Sequence, residues 1–247
     1  MAVTAAGAAL TRQHYLQQLA VRSSLLRNLQ RLWPMFKPSD FDTFDSFSAL
    51  AAVLVRNAHQ ASSAIAARYL TAFRLVEGQP ASIAPVIPAD VPDEIVRNEL
   101  RATGFLGTLN AIRAGKPLAA AAQNGWVRAA GSASSLALAG GRDTIVETVK
   151  ADPKVIGWLR VTGADPCAFC AMLASRGDVY REQTADFESH DHCACSGEPT
   201  YSGSSLPPAS ERFAALWEQS TADAKGEDKL TAFRVAYSQL GTTDAEE

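Results

Sequence analysis

Pro166-Cys167-Ala168-Phe169-Cys170, followed after residues 171–189 by His190-Asp191-His192-Cys193-Ala194-Cys195, is the stretch around which this 247-residue chain is organised. All four cysteines and two of the four histidines fall inside it. Cys167 and Cys170 form a C-x2-C, and His190 and Cys193 stand three apart in the same way. Two such pairs on two tight turns are what a tetrahedral Zn²⁺ draws its four ligands from. Six sulfur and imidazole side chains compete for those positions. The spacing favours Cys167, Cys170, His190 and Cys193. Cys195 either replaces Cys193 or sits beside the metal as an uncoordinated thiol, and His192 reads as exposed or hydrogen-bonded.

A structural zinc is the favoured reading, because a module this short cannot build a sufficient apolar core and metal binding supplies folding energy. Two disulfides compete with it if the mature protein meets an oxidising environment. Four packed, unmetallated cysteines are a third reading. A C-x2-C redox motif is a fourth, but it leaves His190, Cys193 and Cys195 without a role. Pro166-Cys167-Ala168-Phe169-Cys170 also matches half of the zinc deaminase signature. The other half is missing: His14 is followed by Tyr15-Leu16 and His59 by Gln60-Ala61, so no H-x-E supplies the proton-shuttling glutamate. A treble-clef nuclease would use His190 or His192 as base. With His190 on zinc only His192 is left, and no second metal constellation accompanies it.

Working outward, Val155, Trp158, Leu159 and Val161 read as a strand leading into the turn Thr162–Pro166 that presents Cys167. Ala168–Ser175 is expected as a short helix stopped by Gly177. Short strands are expected at Asp178-Val179-Tyr180 and at Cys193–Tyr201, the latter placing Cys193 and Cys195 on one face. Upstream the pattern is helical. The first helix runs from about Ala8 to Trp33 and is ended by Pro34 and Pro38. A second runs from Ser39, as N-cap, to about Val76, with His59 packed inside it. Gly78–Pro92 is a linker broken by glycine and proline. A third helix is expected at Asp93–Ala114 and a fourth at Leu118–Ala139, stopped by Gly140-Gly141, with a short one at Asp143–Ala151. Ser202–Pro208 is a break before C-terminal helices at Ala209–Gln219 and Lys229–Leu240.

The expected fold class is therefore mainly α: an elongated helical body, a small α+β Cys/His module resembling a zinc knuckle, and C-terminal helices. Its divisions are 1–77, the Pro-rich linker 78–92, helical 93–151, the module 152–208 and the tail 209–247.

An apolar content of 47% supports a real core, and 20% charged residues exclude a disordered chain. A net charge of −3 argues against a surface that wraps nucleic acid throughout. The charge is uneven, however. Arg12, Arg22, Arg27, Arg31 and Lys37 precede any acid, whereas residues 209–247 hold eight acids against four bases. Arg12, Arg22, Arg27 and Arg31 are the candidate contact with double-stranded DNA. No run approaches the roughly 18 apolar residues that span a bilayer, and no secretory signal is read at residues 1–10. With its metal-spaced cysteines, the chain is expected to be made in a reducing cytosol.

The run from Trp158 to Gly177 together with His190 to Tyr201 resembles the Mu F-like minor head proteins of tailed phages, closest to those of phages infecting actinobacteria. That family's C-x2-C, following Leu and Gly, and H-x2-C-x-C leading into a strand fall here on Cys167, Cys170, Leu173, Gly177, His190, Cys193 and Cys195. The resemblance implies a structural, non-enzymatic protein that enters the assembling head in few copies and contacts the portal or the major capsid protein. It also implies a place inside the head, made in the bacterial host cytoplasm, with no membrane partner and no small-molecule substrate. Some such proteins carry a fused protease or toxin domain, and no protease constellation is read here. The reading from another class is a zinc-containing nucleic-acid-binding protein or a treble-clef nuclease.

Overall fold

The computed structural model describes residues 1–79, 83–177, 187 and 189–243. Helix α1 (Ala5–Leu32) begins where the Thr4 hydroxyl accepts from Gly7 N and so satisfies one free donor of the first turn. Glu77, from the far end of the next helix, accepts from Val3 N and Thr4 N and fixes the entry to α1. A 3-10 turn at Trp33–Met35, with Pro34 inside it, ends the run. Helix α2 (Thr43–Val76) starts four residues later than Ser39. Lys37 pairs with Asp40 across a tight turn, and the Thr43 hydroxyl takes Lys37 N at 2.8 Å, so Ser39 lies in the turn and caps nothing.

Helices α3 (Asp93–Leu100) and α4 (Leu106–Arg113) are the two parts of the expected third helix, separated by a π-helical turn at Arg101–Phe105. The larger departure follows. Helix α5 (Leu118–Ala151) runs unbroken through Gly140-Gly141. These glycines pack the helix rather than stop it. A Cβ on Gly140 would lie 2.4 Å from the His59 carbonyl oxygen, and one on Gly141 would lie 2.6 Å from Ser62 Oγ. Removing two side chains lets α5 approach the backbone of α2, which offsets the roughly 1 kcal/mol each glycine forfeits in helix propensity.

Helices α1, α2 and α5 form the body, and at about 1.5 Å per residue the 34-residue α2 and α5 are each roughly 51 Å long, so the body is elongated. One core lies between Leu25 and Leu29 of α1, Phe44, Phe47, Ala51 and Val55 of α2, Val96 and Leu100 of α3, and Ala129, Ala133 and Ala137 of α5. His59 is buried in this packing, its Nδ1 3.0 Å from the Leu136 carbonyl. Residues 83–92 have no helix or strand, and Val86 N donates to Thr148 Oγ of α5.

Strands β1 (Gly157–Val161) and β2 (Ser196–Thr200) pair antiparallel, Gly157 opposite Thr200 and Val161 opposite Ser196. Helix α6 (Ala168–Ser175) lies between them in the chain. The second strand is shorter than expected, so Cys193 and Cys195 stand on the loop that enters it. The expected strand at 178–180 lies outside the described residues. Helices α7 (Pro208–Thr221) and α8 (Asp228–Thr243) close on α6 through Phe213 and Phe233. The architecture is thus mainly helical with one small two-stranded sheet.

The strand pair rests on the body through a buried polar joint. The His14 ring of α1 stacks on Tyr69 of α2 at 4.4 Å and 7°, and its Nδ1 lies 3.2 Å from Ser196 Oγ of β2. Gln18 lies beside His14 and donates to the Ser62 carbonyl, while Ser62 Oγ donates to Gln18 Oε1 and accepts from Gly141 N. Each of these buried groups has a partner, so the joint is specific in register rather than merely apolar.

Candidate metal centre

Cys167 is the N-cap of α6, with extended backbone, and its Sγ accepts from Cys170 N at 3.4 Å. That N–H to sulfur bond turns the C-x2-C back on itself, so both sulfurs face one point. His190 arrives from the opposite loop. Its Nδ1 donates to the Asp191 carbonyl at 2.6 Å, so Nε2 is the ring nitrogen that faces the sulfurs and the one that would bind a metal once it gives up its proton. Nε2 lies 2.8 Å from Cys167 Sγ and 3.6 Å from Cys170 Sγ. Cys193 Sγ lies 3.5 Å from Cys170 Sγ.

Two triplets result, Cys167-Cys170-His190 and Cys170-Cys193-Cys195, each with its donor atoms within 4.8 Å of one another, and Cys170 belongs to both. For zinc bonded to sulfur at about 2.3 Å and to imidazole at about 2.0–2.1 Å, tetrahedral S···S edges are roughly 3.8 Å and S···N edges roughly 3.6 Å. Cys170 meets both neighbours close to these lengths. The Cys167–His190 edge is shorter and has to open by under about 1 Å to admit a metal. These side chains can hold a metal ion.

The electrostatics point the same way. Burial raises the Cys167 thiol, but hydrogen bonds from Cys170 N and His190 outweigh it and hold the group below its ordinary value. Burial lowers His190, and its bonds to the Asp191 carbonyl and to Cys167 outweigh that and raise it. Among the three inner sulfurs, hydrogen bonds from Cys170 and Cys195 depress Cys193, while contact with Cys193 raises Cys170. Cys195 is pushed up to about 12: its bond with Cys170 favours the thiolate, and contact with Cys193 together with burial overrides that. A divalent cation held among these sulfurs would stabilise their thiolate forms together.

Helix α5 sets the position of the second loop. Gly131 presents a bare backbone against it, and a Cβ there would lie 2.8 Å from His192 Nε2 and 2.9 Å from Asp191 Cβ. Ser135 meets Ser189 at 3.2 Å. His192 is exposed, with its backbone left-handed at φ 65°. Arg142 of α5 donates from Nε to the Cys195 carbonyl at 3.0 Å and from Nη2 to the Cys193 carbonyl at 2.7 Å. Phe187 stacks on Trp158 at 5.0 Å, with the guanidiniums of Arg142 and Arg160 over its ring. Spacing within the motif gave no sign of Gly131, Arg142 or Phe187.

A family model described as VG15 protein matches residues 4–220. The chain belongs to the VG15 family. That family is phage-associated, so this is a phage protein. The match takes in the helical body, the strand pair, the cysteine and histidine loops and α7, so this VG15 chain carries its cluster within the family's own extent rather than on an appendage. Comparison with curated proteins and with solved structures finds no match.

The four arginines of α1 do not share one environment. Arg12, Arg27 and Arg31 are exposed, whereas Arg22 is half-buried, and its Nε has no hydrogen-bond partner among the described residues. At 100° per residue Arg12, Arg27 and Arg31 fall within one third of the helix circumference, and Arg22 lies away from them. Among the described residues, no helix is long and apolar enough to cross a membrane.

Proposed function

We propose that this VG15 protein is a structural, non-enzymatic minor head protein of a tailed phage, of the Mu F-like kind, fastened by a single zinc. The observation that carries the reading is the convergence of Cys167, Cys170, His190, Cys193 and Cys195 on Cys170 within a chain of a phage-associated family. Soft thiolates with an imidazole suit zinc rather than calcium or magnesium. Closed by four protein ligands, such a site stabilises a fold and leaves no position for substrate. The long body offers faces on α1, α2 and α5 to the portal or the major capsid protein. Location inside the head, after synthesis in the host cytoplasm, follows from that role.

Support for a non-enzymatic role comes from the histidines. His14 and His59 are buried in the body and engaged there, and His190 faces the sulfurs. His192 alone remains as a nuclease base, pressed against Gly131.

Mass spectrometry of purified particles, with localisation of the chain in a particle map, tests the proposal. The expected result is a few copies at the portal or the inner head surface; absence from the particle contradicts it. Contact with packaged double-stranded DNA falls to Arg12, Arg27 and Arg31. Neutralising three phosphates gives a slope of about −2.7 in log affinity against log salt, and salt-insensitive binding removes the DNA contact.

A further inference from the structure

We infer that helix α8 is the outer brace of the metal centre, with Tyr237 the positioning residue that holds Cys167 in place. This rests on the reading of the cluster as a metal site. The C-x2-C pair is mounted on α6, with Cys167 as its N-cap and Cys170 in its first turn, and α6 has only eight residues. A helix that short does not persist in water without packing, so the placing of its first turn depends on what covers it. Cys170 packs with Cys193 and Cys195, while Ala171, Met172, Leu173 and Ala174 pack against Phe213 of α7 and Phe233 of α8. Phe233 is fully buried there, and Tyr237, one turn further along α8, meets its ring at 6.0 Å.

The Tyr237 hydroxyl donates to the Pro166 carbonyl, 71 residues away, in the peptide unit that leads into Cys167. The ring of Pro166 fixes its own φ, so the direction of that carbonyl sets the line on which the chain enters the cap. On the helical side, the Cys167 carbonyl accepts from Ala171 N at 2.9 Å. These two bonds hold the peptide units before and after the Cys167 Cα. Of the four cysteines Cys167 is the exposed one, so packing holds its side chain least and its backbone ties count for most. Phe169 carries the same brace to the imidazole: it is half-buried, packs against both the α6–α8 cluster and the sulfurs, and stands edge-on to His190 at 5.7 Å. Helix α8 lies beyond the residues 4–220 that the family model matches, so the brace is not part of that match.

The test uses the full-length protein loaded with Zn²⁺, its affinity measured against a chromophoric chelator and each cysteine followed by mass-resolved alkylation. Tyr237→Phe keeps the ring beside Phe213 and Phe233 and removes only the hydroxyl. It should weaken Zn²⁺ binding by about tenfold and speed alkylation at Cys167, with Cys170, Cys193 and Cys195 as protected as in wild type. Val55→Ala, in the core of the body, should lower the urea midpoint and leave Zn²⁺ affinity within about twofold of wild type, which separates bracing from general loss of fold. Linkage is reciprocal, so Zn²⁺ should slow amide hydrogen exchange across α8 of wild type by about tenfold beyond any slowing in the middle of α2. That measurement needs no variant and decides the matter if Tyr237→Phe does not fold. Unchanged affinity in Tyr237→Phe, an equal loss in Val55→Ala, or alkylation that rises at all four cysteines or at none overturns the inference and leaves the metal centre standing. So does α8 exchange that Zn²⁺ leaves untouched. Failure of wild type to bind Zn²⁺ overturns both.

Discussion

Gly131 shows how one missing side chain can serve the cluster from a distance. Alanine there gains roughly 1 kcal/mol of helix propensity for α5, yet its Cβ would press on Asp191 Cβ and His192 Nε2 at 2.9 and 2.8 Å. The helix and the loop therefore respond in opposite directions. Gly131→Ala is expected to leave the urea midpoint of the metal-free protein unchanged or raised, and to weaken Zn²⁺ binding by about tenfold as His190 is carried off its position. Chelator competition beside an unfolding curve checks this; parallel changes in the two would contradict it. At this scale the sequence was informative about Cys167, Cys170, His190, Cys193 and Cys195, because ligand spacing is local. It was silent on Arg142, whose partners are backbone carbonyls 51 and 53 residues away, a relation no residue type encodes.

Among the elements, α6 and α5 mark the two extremes of legibility. Helix α6 was readable to the residue, since Cys167 caps it and Gly177, at φ 70°, ends it, both close in sequence. Helix α5 was not, because Gly140-Gly141 looks like a stop until α2 is placed beside it. Its continuity makes a prediction. Gly140→Ala gains about 1 kcal/mol in propensity but drives a Cβ to 2.4 Å from the rigid His59 carbonyl, and overpacking of that kind typically destabilises by 1–3 kcal/mol or more. The net effect should be a loss of up to about 2 kcal/mol, read as a lower urea midpoint at unchanged m-value. A gain in stability would mean that the glycines do not set the α2–α5 distance.

The whole molecule is a helical body and a cysteine module joined by the His14 network, and that joint has a pH signature. Burial lowers His14 from 6.5 to about 4. The unfolded chain therefore binds a proton between those values that the folded chain refuses. Stability is full above pH 6.5 and falls as pH drops towards 4, by up to roughly 3 kcal/mol. Glu198, raised by burial in the same region, has the opposite slope: its folded form takes up a proton more readily, which adds stability as pH falls. The difference between wild type and His14→Gln isolates the histidine. With chelator present, the variant should lose the downward slope between pH 6.5 and 4, and an unaltered slope would exclude His14 as its source.

The joint could not be read from composition and periodicity, since it links His14 to Ser196 across most of the chain. The measurement closest to the centre of the account is the zinc content of the purified native protein, paired with a count of free thiols before and after chelation. One zinc per chain is expected, with the thiols protected until the metal is removed and all four reactive afterwards. No zinc, with four freely reactive thiols or with none at all, would contradict it.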